Sequence, residues 1–214
     1  DAALKAAALD DRDRGFCTEL ALGTLRWAGP LEASLLRGAD KPGRGLDKRL
    51  RPHLLVAAYQ LQHLDDRIPS HAAVSEAMKI VARVRPGLRG FSNALLRKLG
   101  SPLHLLLKPD ASLDEVATAY GIPMTVAKAT TDGLSATEMR DAIAALNARP
   151  PLSLAILEDD NARVIDDINA QQPEVERHFT PHPFVAGVFV AHGAGAPERF
   201  PGFSEGQFVV QDPG

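Results

Sequence analysis

The stretch Ile68–Leu99, IPSHAAVSEAMKIVARVRPGLRGFSNALLRKL, decides how the first half of the chain is read. Val74, Ala77, Met78 and Val81 recur at helical spacing after Pro69-Ser70. A helix is therefore expected that has Ser70 as its N-cap, buries this stripe and stops at Pro86-Gly87. A second helix is expected from about Arg89 to Leu99, burying Phe91, Leu95 and Leu99 and ending at Gly100. The polar residues are periodic too. Lys79 and Arg83 stand four apart, and Arg89, Asn93 and Arg97 form an i, i+4, i+8 stripe. Two adjacent helices of this kind would present one basic surface, on which Asn93 can donate and accept hydrogen bonds with base edges or sugar hydroxyls.

Upstream, Phe16, Leu20, Gly23 and Trp27 fall on one helical stripe from Asp13 onward. Gly29-Pro30 is expected to interrupt this helix before LEASLLR resumes it. After the turn-rich GADKPGRG, a long helix is expected from about Asp47 to Leu64, burying Leu50, Leu54, Ala57, Leu61 and Leu64, with Pro52 tolerated in its first turns. Arg12, Arg14, Arg26, Lys48, Arg49 and Arg51 are expected to extend the basic surface, a solvated helix face being the competing account for each arginine. Aromatic residues make up only 5 % of the chain, and Phe16, Trp27 and Phe91 all fall on apolar stripes. Recognition of RNA would then rest on phosphates and shape more than on stacking.

Downstream, Ser112-Leu-Asp-Glu115 and Ser135-Ala-Thr-Glu138 match the capping box, so residues 112–148 are read as helices bridging two domains. After Arg149-Pro150-Pro151 the pattern changes. LSLAIL, PFVAGVFVA and QFVVQD read as strands, EVERHFT as a weaker one, and Asn161 to Gln171 as a helix. The expected architecture is mainly α: a helical bundle over 1–108, a helical linker over 109–150, and a small α/β domain over 151–214.

Charge is segregated along the 214 residues. Residues 1–108 carry 18 Lys and Arg against 11 Asp and Glu, whereas residues 109–214 carry 6 against 16. Clustered cations in the first half suit a polyanion, because binding phosphates releases condensed counterions; oppositely charged solvated faces are the alternative. The single cysteine, Cys17, excludes an internal disulfide and any Cys-rich zinc site, and is expected to be buried as a small hydrophobe. The longest apolar runs are too short to span a bilayer and the start lacks a signal-peptide stretch, so a cytoplasmic protein with no membrane partner is expected. The chain opens at Asp1 and closes on Asp212-Pro213-Gly214, which reads as a piece of a longer polypeptide.

Signatures of catalysis are missing. His178 and His182 have H-x-x-x-H spacing, but Pro181 and Pro183 deny them a helix and no third ligand is evident, so no metal is expected. GRG at 43–45 and GAG at 193–195 lack the full G-x-G-x-x-G and read as loops. The acids Glu158, Asp159, Asp160, Asp166 and Asp167 read as caps and solvating groups of the Asn161 helix. His71, just after the expected N-cap, reads as a locally bonded residue, with an RNA contact as the alternative. No catalytic or cofactor-binding residue is assigned.

DRDRGFCTELALGTLRW (11–27), LLVAAYQLQHLDDRIPSHAAVSEAMKIVARV (54–84) and GFSNALLRKL (90–99) resemble, in order, the NusB-like domain of bacterial ribosomal-RNA cytosine-5 methyltransferases. PGFSEGQFVVQD (201–212) resembles the segment these enzymes show just before their cofactor domain. The resemblance implies a NusB-like helical bundle, a small RNA-recognition-like α/β domain and then a domain binding S-adenosylmethionine, in which a cysteine attacks cytosine C6. On that reading the catalytic domain and its cofactor lie beyond Gly214, and this chain has no cofactor of its own. The expected partners are ribosomal RNA, the protein's own catalytic domain and a ribosomal protein. Two readings compete with a substrate-recognition module: an antitermination adaptor like NusB itself, and a scaffold for the catalytic domain.

Overall fold

The computed structural model describes residues 7–37, 45–170, 178–192 and 197–211. The chain divides into two compact units, Asp1–Ala148 and Arg149–Gly214.

The first unit is helical. Helix α1 (Asp11–Arg26) is capped by Asp10, whose side chain accepts from the Asp13 N–H at 2.8 Å. It ends at Trp27, one residue earlier than its glycine and proline suggest. Gly29-Pro30 falls inside the first turn of α2 (Ala28–Arg37), where the missing proline N–H has no helical partner to lose. Helix α3 (Arg51–His63) starts later than the periodicity implies; residues 48–50 form a turn closed by the Leu50 N–H on the Asp47 carbonyl at 2.9 Å. Helix α4 (Ser70–Val84) has Pro69, not Ser70, at its N-cap: no side chain caps it, and the Pro69 carbonyl accepts from Ala72 and Ala73. A 3-10 turn, Pro86–Leu88, leads into α5 (Arg89–Arg97).

These helices share a core of Leu31, Leu35, Leu54, Leu55, Ala58, Val81, Leu95 and their neighbours. Burying one such leucine is worth about 1.5–3 kcal/mol, and this cluster accounts for the order of the bundle. Gly23 is required by its packing: a Cβ there would lie 2.2 Å from the ring of buried Tyr59. The ring takes the place of a side chain, and its hydroxyl donates to Glu19 Oε1 at 2.6 Å.

Phe91 and Phe16 depart from the expected stripes. Phe91 is 48 % exposed, because α5 turns Ser92, Leu95 and Leu96 inward, which leaves Phe91 on the flank. Leu99 is half-buried. Phe16 keeps its stripe on α1 but is 43 % exposed, burial setting in only with Leu20 and Gly23. Cys17 is half-buried, not fully enclosed.

Helices α6 (Leu113–Tyr120), α7 (Met124–Thr131) and α8 (Ala136–Asn147) complete the unit around Val116, Ala117, Ala127 and Ile143. Both expected capping boxes form. Ser112 and Ser135 each accept from the N–H three residues on, while Glu115 and Glu138 accept from the cap N–H groups at 2.8 and 2.9 Å. Gly121 ends α6 with φ +72°, where a Cβ would lie 2.8 Å from Pro30 Cδ.

The second unit is a four-stranded antiparallel sheet in the order β2-β3-β1-β4, built from β1 (Leu152–Ile156), β2 (His178–Pro181), β3 (Val188–His192) and β4 (Phe208–Val210). Helix α9 (Asn161–Ala170) follows β1. Among the described residues the element order is β-α-β-β-β, with a 3-10 turn, Pro197–Arg199, between the last two strands, so the unit is RNA-recognition-like in its sheet order and its first helix. PFVAGVFVA pairs only from Val188. The expected loops at 38–44 and 193–196, and residues 174–177 of EVERHFT, lie outside the described residues.

Candidate nucleic-acid interface

The short 3-10 connection lays α4 and α5 side by side, with Ala77, Met78 and Val81 facing the same core as Leu95 and Leu96. Their outer faces border a groove of about 880 Å³. Its apolar floor includes Leu61, Val74, Met78, Leu96 and Leu99, and its polar lining is Ser70, His71, Ser75, Lys79, Arg89, Asn93 and Arg97. Among the described residues no acidic one lines it. Four of the residues singled out from sequence thus meet in one concavity, and the i, i+4, i+8 stripe of α5 forms one of its walls. Asn93 is half-buried; Arg89 and Arg97 are exposed.

The remaining basic residues are placed differently. Arg83 is exposed one turn beyond Lys79 but does not line the groove. Among the described residues none forms an ion pair with Arg83, Arg89 or Arg97, whereas Lys79 pairs with Glu76 at 2.5 Å, both side chains in solvent. An exposed pair of this kind is worth little and gives way to a phosphate at small cost. Arg12, Arg14, Arg26, Lys48, Arg49 and Arg51 lie outside the groove. Arg14 is half-buried and donates to the Leu9 carbonyl at 3.1 Å, and Arg51 holds Glu32 through Nε at 2.9 Å and Nη2 at 2.8 Å. The Glu32 carboxylate raises the Arg51 guanidinium further above its ordinary value. Neither contact is local in the usual helical sense, which is why sequence spacing overlooks both.

Behind the helices, Trp27, Tyr59, His63, His104 and Tyr120 form an array of rings. Trp27 stacks on His63 at 4.6 Å between centroids and meets His104 at 5.1 Å; His104 lies 5.3 Å from Tyr120. Burial, reinforced by His104, pushes His63 down to about 4, and burial also lowers His104, so both imidazoles are neutral at pH 7. No spacing rule joins residues so far apart in sequence, so the array has no signature there.

In the second unit the register fixes which face each side chain takes. Phe189 pairs with Leu154, Phe179 with Ala191 and Phe208 with Ile156, so all three phenylalanines share the face whose core is Leu154, Ile156, Val164 and Ile168. Ser153, Ala155, Thr180, Val190 and Val209 take the other face, where Thr180 Oγ1 meets His192 Nε2 at 3.0 Å. That face has no aromatic platform among the described strand residues, unlike the stacking surface typical of RNA-recognition sheets. His182 Nδ1 accepts from the Phe184 N–H at 3.3 Å, and no group of three or more potential metal ligands occurs among the described residues. Of the acids around α9, Asp160 caps it by accepting from the Arg163 N–H at 3.0 Å, and Arg163 bonds Glu158 before the helix and Asp167 within it. No helix among the described residues is long and apolar enough to cross a membrane.

Residues 1–101 match the NusB family. The chain is 33 % identical over 208 residues to ribosomal RNA small subunit methyltransferase B of Pseudomonas putida, covering 95 % of this chain and 45 % of that relative. It is 36 % identical over 150 residues to the protein of the same name from Pseudomonas syringae pv. tomato, covering 68 % and 32 %. The chain thus spans less than half the length of these curated relatives. Among solved structures it resembles the crystal structure of PH0851, with a TM-score of 0.59 and 18 % identity over 98 % of this chain and 47 % of that one, a likeness of fold.

Proposed function

We propose that this chain, whose residues 1–101 match the NusB family, is the substrate-recognition region of a ribosomal-RNA cytosine-5 methyltransferase, gripping RNA on the α4–α5 groove. The observation that carries this reading is the groove itself. Lys79, Arg89 and Arg97 line a concavity to which no described acid contributes, Asn93 offers donor and acceptor from half-buried depth, and His71 is part of the lining. Phosphates would sit on the cations, and sugar or base edges on Asn93. Arg83 extends the surface by one turn; Arg12, Arg26, Lys48 and Arg49 are secondary contacts, and Arg14 and Arg51 are committed to Leu9 and Glu32. The methyl transfer itself, with S-adenosylmethionine as donor, belongs in this proposal to a domain outside these 214 residues, and the protein works in the cytoplasm. The relatives' shared name supports the reading.

Anisotropy titrations with small-subunit RNA helices at several salt concentrations test it. The logarithm of affinity should fall linearly with the logarithm of salt, and replacing Lys79, Arg89 and Arg97 together by alanine should flatten the slope by roughly 2–3. A wild-type slope near zero would overturn the proposal. Tight capture of a ribosomal protein with RNA binding unaffected by the triple variant would favour an adaptor instead.

A further inference from the structure

A second concavity, of about 400 Å³, opens between the 3-10 turn Leu103–Leu106 and the first turns of α8. One wall is made of His104 and Tyr120, whose rings lie 5.3 Å apart and back onto Trp27 at 5.1 and 6.1 Å. The opposite wall is a single face of α8: Ala136, Thr137, Arg140, Asp141 and Ala144. The alanines leave the space; the other three provide a hydroxyl, a donor and an acceptor. Arg140 donates through Nη2 to the Lys108 carbonyl, which fixes the guanidinium beside the cavity. Within these two lining residues, Arg140 Nε and His104 Nδ1 are buried without a hydrogen-bond partner.

A ligand for this site must be flat enough to lie against rings and must present an acceptor beside a donor. The charge beside it decides between classes. Arg140 and Asp141 are neighbours of opposite sign, and burial lowers His104 and so disfavours its charged form, so the wall offers a phosphate or carboxylate little net attraction. A neutral heterocycle with ring carbonyl or nitrogen next to an N–H or amine satisfies both groups. We infer that this cavity is a pocket for one unstacked nucleobase, which stacks on His104 and Tyr120 and bonds Arg140 and Asp141 along its edge.

The base could come from a free nucleotide or from RNA. Leu99 lines the basic groove and His104 this pocket, so their backbones lie within about 18 Å of each other. A strand held in the groove would therefore reach the pocket within a few nucleotides. Only that second source rests on the RNA reading above.

Trp27 is the one tryptophan of the chain and touches both ring walls, so its emission reports occupancy. The full chain is titrated with CMP, UMP, AMP and GMP, and with a short single-stranded RNA carrying an abasic site at each position in turn. A saturable change in Trp27 emission is expected. Ala144→Leu, which fills the cavity, should abolish it, and Asp141→Asn should weaken binding roughly tenfold, with thermal melts of both variants matching the parent. Mononucleotides binding as tightly as the oligonucleotide identify a free nucleotide; an oligonucleotide that binds tighter and loses affinity at one abasic position identifies an RNA base. No saturable change with either probe, or unchanged binding in Asp141→Asn and a folded Ala144→Leu, overturns the pocket. The Arg89→Ala, Arg97→Ala double variant should keep the mononucleotide signal, so a failure of the groove reading is seen separately.

Discussion

In the α4–α5 pair, Lys79, Arg89 and Arg97 stand on the face turned away from the shared core, while in the sheet Phe179, Phe189 and Phe208 stand on the face turned toward it. Both units have folds that other proteins use on RNA. The helical unit turns a basic face outward, which is what the proposed RNA contact rests on, and the sheet turns its phenylalanines toward its own core. The contrast teaches that RNA binding must be argued from the face a residue occupies, since the fold alone leaves that open.

The contrast is broken most directly by affinity. Alanine at Lys79, Arg89 and Arg97 should weaken RNA binding roughly thirty- to a hundredfold at ~150 mM salt, whereas alanine at Thr180, Val190 and Val209 should change it less than about twofold. Equal losses in filter-binding assays would erase the distinction. Stability offers a second comparison. Gly23→Ala drives a methyl into the packed Tyr59 ring and should cost the helical unit about 2–3 kcal/mol by urea denaturation. Gly202→Ala meets only the flexible Gln207 side chain, so its φ of +84° dominates and the cost should be nearer 1 kcal/mol.

Acid should separate the units as well. His63 is held near 4 in the fold against about 6.5 when unfolded, so the unfolded chain takes up a proton that the folded chain refuses. The stability this represents is complete above pH 6.5 and drains away as pH falls toward 4. Trp27 emission melts should drop by roughly 5 °C between pH 7 and pH 5, and His63→Phe should remove most of that drop. The smallest effect expected is at a cap. Ser135→Ala should cost the helical unit about 1 kcal/mol, against less than about 0.5 for Arg163→Ala, whose bonds to Glu158 and Asp167 are exposed; differential scanning calorimetry would rank them.

Legibility followed the range of the interactions. The capping boxes at Ser112 and Ser135 close within four residues and were read from sequence, as was the i, i+4, i+8 stripe that became a wall of the groove. Phe91 departs from its expected burial because a periodic pattern gives a helix its apolar stripe but not its direction. Burial of Ser92 beside Leu95 and Leu96 rotates α5 away from the orientation that hydrophobicity alone favours. Arg51 looked like one more free cation because Glu32 lies 19 residues back. The proposed nucleobase pocket has no signature in the sequence: its walls come from a 3-10 histidine, the end of α6 and a face of α8 that carries no motif.

The contact between Gly121 and Pro30 bears on where this molecule can be divided. The family match stops at residue 101, yet the left-handed end of α6 rests against the first turn of α2, and His104 and Tyr120 shield one side of Trp27. A polypeptide trimmed to the family boundary would uncover the buried Pro30 and show water more of the half-buried Trp27 indole. The natural place to cut is after Ala148.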